Sequence, residues 1–236
     1  MKRDFLFSYY QTPRGEVLRR QETDYLQRSI TVSCKQTILQ IGALGWETEL
    51  IDCTLYKYYT VLDARGLGDP AVKKIRAEAS CLPLQCDSVD MIILPHFLEF
   101  DPCCLRTMRE VERVLKPEGT LVVVNFNPWS LRIRYEYLWE RQKHDAWSGH
   151  FISRTRVIDW LKLLNFEVIL FTEFNAKSVR STHGKFMDNC YSLSASAYAI
   201  KAIKRRYNII PLTPVCEAAP RLALANSINP ATRVGS

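Results

Sequence analysis

No apolar run in this chain reaches the ~18 residues that a bilayer-crossing helix needs, so a membrane-spanning architecture is not expected. The opening Met-Lys-Arg-Asp-Phe-Leu-Phe-Ser has no apolar segment long enough for a signal peptide, and a cytoplasmic protein is the expectation. The eight cysteines, at 34, 53, 81, 86, 103, 104, 190 and 216, contain no Cys-x-x-Cys pair and no regular framework. Cys103 and Cys104 are adjacent and poorly placed to bond each other, so reduced thiols serving as small apolar residues are expected. Cys81 and Cys86 have no histidine or further cysteine at ligand spacing, which leaves no metal site in prospect. A broadly basic face is missing as well. The net charge is +7, but residues 201–236 hold six basic residues against Glu217 alone, leaving residues 1–200 nearly balanced. That distribution does not call for a nucleic-acid-binding domain.

What is present is a core large enough for one α/β domain: 47% of the 236 residues are hydrophobic. From Val89 to Leu94 the apolar positions are nearly continuous, as in a strand buried on both faces of a parallel sheet. Asp101-Pro102 reads as a helix start, with Asp101 as N-cap and Pro102 at the first helical position. Leu105, Met108, Val111 and Leu115 follow at helical spacing. Lys116-Pro117-Glu118-Gly119 reads as a turn, and Thr120–Phe126 as the next strand. Strand, helix and strand of this length make a right-handed crossover between parallel strands.

Upstream, Thr12-Pro13 opens a helix that runs to about residue 32. It either packs near a ligand or merely covers one face of the sheet. Thr37–Ile41 is the first expected strand, followed by Gly42-Ala43-Leu44-Gly45-Trp46. Tyr58–Asp63 is the second, and Asp63 at its end either accepts hydrogen bonds from a ribose or begins a turn. Asp90 lies inside an apolar strand, where a carboxylate needs hydrogen-bonding partners. His96 follows that strand at the sheet edge where ligands bind in doubly wound folds. Expected to titrate near neutrality, it is a candidate general base, against the plainer reading of a wall residue. Arg132–Lys143 is aromatic and basic, suited to an acceptor pocket or to an amphipathic packing helix.

Ser153 caps a further helix, Phe166–Thr172 is a strand, Asn175–Cys190 a polar loop, and Tyr191–Ile203 the last strand. Residues 208–236 hold four prolines and no periodicity, as in a disordered tail. The expected division is a helical cap over residues 1–36, a main domain over 37–206 and a basic tail over 207–236.

Several of these segments resemble the class I S-adenosylmethionine (SAM)-dependent methyltransferases, in the methyltransferase type 11-like branch. Glu78-Ala79-Ser80-Cys81-Leu82-Pro83 matches that branch's acidic-Ala-x-x-Leu-Pro segment. Glu110-Val111-Glu112-Arg113-Val114-Leu115-Lys116-Pro117 looks like its Glu-x-x-Arg-Val-Leu-Lys-Pro helix end. Leu94-Pro95-His96-Phe97-Leu98-Glu99-Phe100 and Phe126-Asn127-Pro128-Trp129-Ser130 look like segments of a small bacterial group of such proteins. Together the matches cover roughly residues 37–203. The resemblance implies a Rossmann-like, seven-stranded α/β sheet, mostly parallel with an antiparallel last strand. It implies SAM as cofactor and methyl transfer to an acceptor, most simply a small molecule. By the same resemblance Gly42, Ala43, Gly45 and Leu94 line the cofactor, Asp63 holds the ribose, and Glu78 and Ala79 meet the adenine.

The family's Gly-x-Gly-x-Gly turn is only partly kept. Leu44 and Trp46 stand where glycines usually do, and Gln40 replaces an acidic residue. A second reading is therefore a non-catalytic binding or regulatory protein that kept the fold. A third is an enzyme directed at RNA or DNA, drawn to it by the basic tail.

Overall fold

A computed structural model of the chain describes residues 4–30, 36–51, 58–66, 68–131, 133–135, 150–175, 178–183 and 195–206. Eight strands form one sheet: β1 (Thr37–Ile41), β2 (Tyr58–Leu62), β3 (Lys73–Ile75), β4 (Val89–Pro95), β5 (Leu115–Phe126), β6 (Phe166–Asn175), β7 (Ser178–His183) and β8 (Ala195–Lys204). Their order is β3-β2-β1-β4-β5-β8-β6-β7. The first five are mutually parallel, while β8 runs antiparallel between β5 and β6.

Side chains of successive strand residues face opposite sides of a sheet, and here both sides are covered. Ile38, Val61, Met91, Ile93, Val122 and Val124 share one core with α1 (Asp4–Tyr10) and α2 (Pro13–Ser29). Leu39, Leu62, Ile92, Leu94, Leu121 and Val123 share the other with α4 (Cys104–Val114) and α5 (Arg154–Leu163). A short α3 (Glu47–Leu50) follows β1. This double burial explains why β4 and β5 read as unbroken apolar runs.

Local chemistry sets the helix starts. The Thr12 hydroxyl accepts from the Gly15 N–H at 3.0 Å, capping α2. Gly15 is needed where α2 meets α1, because a Cβ there would run into the Tyr9 carbonyl. Ser153 caps α5 by accepting from Arg156 N–H.

Four expectations change. The helix expected from Pro102 begins at Cys104 instead, with Asp101 still bound to its first turn: Asp101 Oδ1 accepts from Cys103 N–H at 2.9 Å and Oδ2 from the Thr107 hydroxyl. Leu115 opens β5 rather than closing the helix, and the expected turn at 116–119 is a bulge within that strand. The pairing jumps from Val89–Leu115 to Met91–Thr120, and Glu118 takes φ 62°. The α2 helix ends at Ser29 rather than near 32. The expected seven strands become eight, because Ser178–His183, read as polar loop, pairs with β6 as a hairpin on the open edge. Its sequence, Ser-Val-Arg-Ser-Thr-His, carries little apolar signal because an edge strand with an exposed face needs little. The aromatic-basic stretch at 136–143, residues 191–194 and the tail at 207–236 lie outside the described residues.

Candidate active site

The carboxyl ends of β1, β2 and β4 open on a cleft of about 270 Å³. That is close to the lower end of the ~300–1,000 Å³ common for small-ligand pockets. Ala43, Asp63, Glu78 and Ala79 line it together, with Leu62 and Phe97 supplying apolar wall. Residues 36 positions apart in sequence thus meet because parallel strands all present their carboxyl ends at one edge.

Asp63 sits just past β2. Its Oδ1 accepts from Arg65 N–H at 2.8 Å and its Oδ2 from Ala43 N–H at 3.3 Å. The carboxylate thereby ties the loop after β1 to the loop after β2, and each oxygen keeps a lone pair for a ligand hydroxyl. The wall carrying Glu78 and Ala79 is held from below by α4. Glu110 Oε2 accepts from Leu82 N–H at 2.9 Å, and Arg113 donates to the carbonyls of Leu82 (3.0 Å) and Leu84 (2.9 Å). Arg113 also grips Glu110, holding that carboxyl below its usual range. The Glu-x-x-Arg helix end therefore acts as a clamp on the Glu-Ala-x-x-Leu-Pro segment.

The loop after β1 departs most from a simple glycine turn. Gly42 takes φ 100° and Gly45 φ 92°, conformations that favour glycine. Gln40 is fully buried: its amide nitrogen donates to the Gly42 carbonyl at 2.9 Å, and its oxygen accepts from the Tyr59 hydroxyl at 2.6 Å. Glu47, also fully buried, turns back into the loop. Its Oε1 accepts from the N–H groups of Leu44 (2.5 Å) and Gly45 (2.9 Å), and its Oε2 from Asp69 N–H (2.8 Å). An internal carboxylate thus engages N–H groups that such a loop could otherwise offer to a ligand. Leu44 is buried in the core, and Trp46 packs edge-on against Phe7 and Tyr10 with the Arg19 guanidinium over its ring at 4.6 Å. Neither Leu44 nor Trp46 lines the cleft, so the large side chains in the glycine positions point away from it.

Of the expected cofactor residues, Ala43, Asp63, Glu78 and Ala79 line the cleft; Gly42, Gly45 and Leu94 do not. Leu94 belongs to the core beside α4. The structure also brings in Phe7 from α1, which no spacing in the sequence could assign to this cleft. Asp90 is fixed structurally: it accepts from Thr37 N–H at 2.9 Å and from Lys116 Nζ at 2.7 Å.

His96 is fully buried and takes φ 46°, with both ring nitrogens engaged. Nδ1 meets Glu99 Oε2 at 3.1 Å; Nε2 meets Glu22 Oε1 at 3.1 Å and the Tyr10 hydroxyl at 2.9 Å. Tyr10 in turn donates to Glu22 Oε2 at 2.5 Å, and Phe126 N–H donates to Glu99 Oε1 at 2.6 Å. The donors and acceptors balance with the ring as an imidazolium, whose two N–H groups donate to the Glu22 and Glu99 carboxylates. Burial alone would lower the His96 pKa, but the Glu22 and Glu99 carboxylates outweigh it and lift it to about 9. In this state His96 has no lone pair with which to take a proton from a substrate. It ties α1 and α2 to β4, and Glu22 and Glu99 are the partners that sequence spacing did not reveal.

Strand order and cleft define a protein with the class I methyltransferase fold. Residues 46–123, a third of the chain, match the family model described as a methyltransferase domain. A protein of Escherichia coli (strain K12), described as uncharacterized protein YafS, is 29% identical over 201 residues, covering 85% of this chain and 80% of its own. Among solved structures, a SAM-dependent methyltransferase from Thermotoga maritima superposes with a TM-score of 0.57 at 18% identity, over 78% of this chain and 88% of its own. One from Archaeoglobus fulgidus gives 0.57 at 18% identity, over 79% and 94%. The [4+2]-cyclase SpnF gives 0.57 at 14% identity, over 79% and 81%, so the fold by itself does not fix the chemistry.

Proposed function

We propose that the chain binds SAM with its adenosine in the cleft and transfers the methyl group to a small-molecule acceptor. The observation that carries this is the convergence of Asp63, Glu78 and Ala79 on one cleft at the carboxyl edge of the parallel strands. The donor set suits an adenosine. The free lone pairs of Asp63 accept from the ribose hydroxyls, and Glu78 accepts from the adenine amino group. The Ala79 N–H meets a ring nitrogen, while Leu62 and Phe97 give the base apolar contact. When bound, the sulfonium supplies an electrophilic methyl group, open to in-line attack. The protein then has to align the nucleophile and keep water out, and a dedicated base is not required. Phe7 on α1 closes one side of the cleft and serves that exclusion.

Calorimetric titration of the full chain with SAM and S-adenosylhomocysteine tests this. Binding that falls at least tenfold in Asp63→Ala, at roughly 1.4 kcal/mol or more, is expected. No heat at millimolar ligand would sink the proposal.

A second reading is favoured by Glu47. Because its carboxylate engages the Leu44 and Gly45 N–H groups, the chain could hold a nucleoside without presenting a methyl group for reaction. Binding of S-adenosylhomocysteine with no methyl loss from SAM across a broad panel of amine, phenol and carboxylate acceptors would favour it.

The described residues include no helix long and apolar enough to cross a membrane and no cluster of potential metal ligands.

A further inference from the structure

A second groove, of about 400 Å³, adjoins the cleft, and Asp101, Pro102 and Cys103 form the wall the two share. Its floor is Phe151, Ile152 and Trp160, apolar or aromatic; Arg106 from α4 and Arg156 from α5 stand over it, with His150 at the side. Arg156 lies over the Trp160 ring at 5.3 Å, which holds the guanidinium in place without neutralising it. Among the described residues no carboxylate pairs with Arg106 or Arg156. The one carboxylate in the lining, Asp101, is turned into the first turn of α4, where the Cys103 N–H and the Thr107 hydroxyl hold it.

Two guanidiniums without carboxylate partners over an aromatic floor match a definite ligand chemistry. Arginine binds carboxylate, sulfonate or phosphate oxygens through paired N–H donors, while Trp160 and Phe151 offer surface for a flat ring. We propose that this groove is the acceptor site and takes a small aromatic anion, with its ring on Trp160 and Phe151 and its charge between Arg106 and Arg156. The reacting end of such a ligand lies toward Cys103, the wall beyond which the cofactor cleft begins. Its role as an acceptor site rests on the cofactor reading above; its occupancy by an aromatic anion does not.

Cys103 gives a reporter on that wall, because its thiol is exposed and lines both spaces. Cys104 is poorly reactive by comparison: burial first, and then the Asp101 charge, push its thiol up to about 11. Alkylation of the full chain by iodoacetamide, read at each cysteine by mass spectrometry, is the experiment. The aromatic anion 8-anilinonaphthalene-1-sulfonate and its uncharged analogue N-phenyl-1-naphthylamine serve as probes, and S-adenosylhomocysteine as a separate protectant.

The sulfonate should slow alkylation of Cys103 severalfold while leaving Cys81 and Cys86 unchanged, and the neutral analogue should protect far less. Affinity for the sulfonate, read by its fluorescence, should fall roughly tenfold for each of Arg106→Gln and Arg156→Gln, since each loses a charge-assisted contact. Equal protection by the neutral analogue, or unchanged affinity in the double variant, overturns the proposal. Because both arginines are exposed and have no carboxylate partner among the described residues, the variants should fold; the comparison of the two probes on the unaltered chain stands without them. Protection by the sulfonate with none by S-adenosylhomocysteine would leave the groove standing and remove the cofactor reading. The reverse result would do the opposite.

Discussion

Removing the His96 imidazolium should change how stability depends on pH, in a direction that can be worked out. Unfolded, the ring has an ordinary pKa near 6.5; folded, between Glu22 and Glu99, it is held to about 9. Below pH 6.5 the ring is protonated in both states and its stabilising contribution is complete. Between 6.5 and 9 the unfolded chain loses the proton while the folded chain keeps it, so the contribution falls as pH rises and is gone above about 9. At ~1.4 kcal/mol per pH unit that gap is worth about 3 kcal/mol. For a domain of this size that corresponds to a drop of roughly 6–12 °C in melting temperature across the window.

The assay is thermal unfolding of the parent chain and His96→Gln at intervals from pH 6 to 10. At pH 6 the variant should be less stable by roughly 3–5 kcal/mol, because it leaves two buried carboxylates without their cation. The two curves should then converge by about 3 kcal/mol on reaching pH 9.5. Tyr10 does not blur the window, since burial, followed by the Glu22 charge, raises its pKa well above the ordinary 10. Parallel curves would show that the ring is not the group holding the proton, and the charge balance drawn for the cluster would be wrong.

Glu47→Gln removes the carboxylate that accepts from three backbone N–H groups, and a loss of about 2–4 kcal/mol is expected by chemical denaturation. If the charge also hinders a bound ligand, S-adenosylhomocysteine affinity should rise in the surviving folded fraction. Gly15→Ala should cost more than the ~1 kcal/mol that a helix ordinarily gains from alanine, since its methyl meets the Tyr9 carbonyl. It should also weaken ligand binding, because α1 carries Phe7; calorimetry on the folded variant reads this. Lys204→Met should destabilise the chain by about 1–3 kcal/mol, measured by urea titration. The Lys204 side chain is 2% exposed and donates to the buried Leu115 carbonyl at 2.8 Å, which loses its donor, and to Asp87 at 3.1 Å, which keeps Arg206 as a partner.

Much of the architecture was legible because the signals that specify it are local. The apolar runs of β4 and β5 and the caps at Thr12 and Ser153 depend on neighbours a few positions away. The end of β2 placed Asp63, the resemblance to the methyltransferases pointed to Ala43, Glu78 and Ala79, and the cleft joins those four. Replacing Leu44 and Trp46 by glycine would not simply restore a glycine turn. The packing of Leu44 in the core, and of Trp46 against Phe7 and Tyr10, makes loss of folding the expected result instead.

Sequence alone determined most of the strands and helices and set Asp63 at a strand end, since hydrophobic period and capping chemistry are properties of short windows. Tertiary structure alone decided that Glu22, 74 positions from His96, would share its proton, that Glu47 would turn inward on the loop, and that β7 would extend the sheet. Those outcomes depend on which charges end up together away from water, where an unpaired one is costly, and on which backbone edges meet.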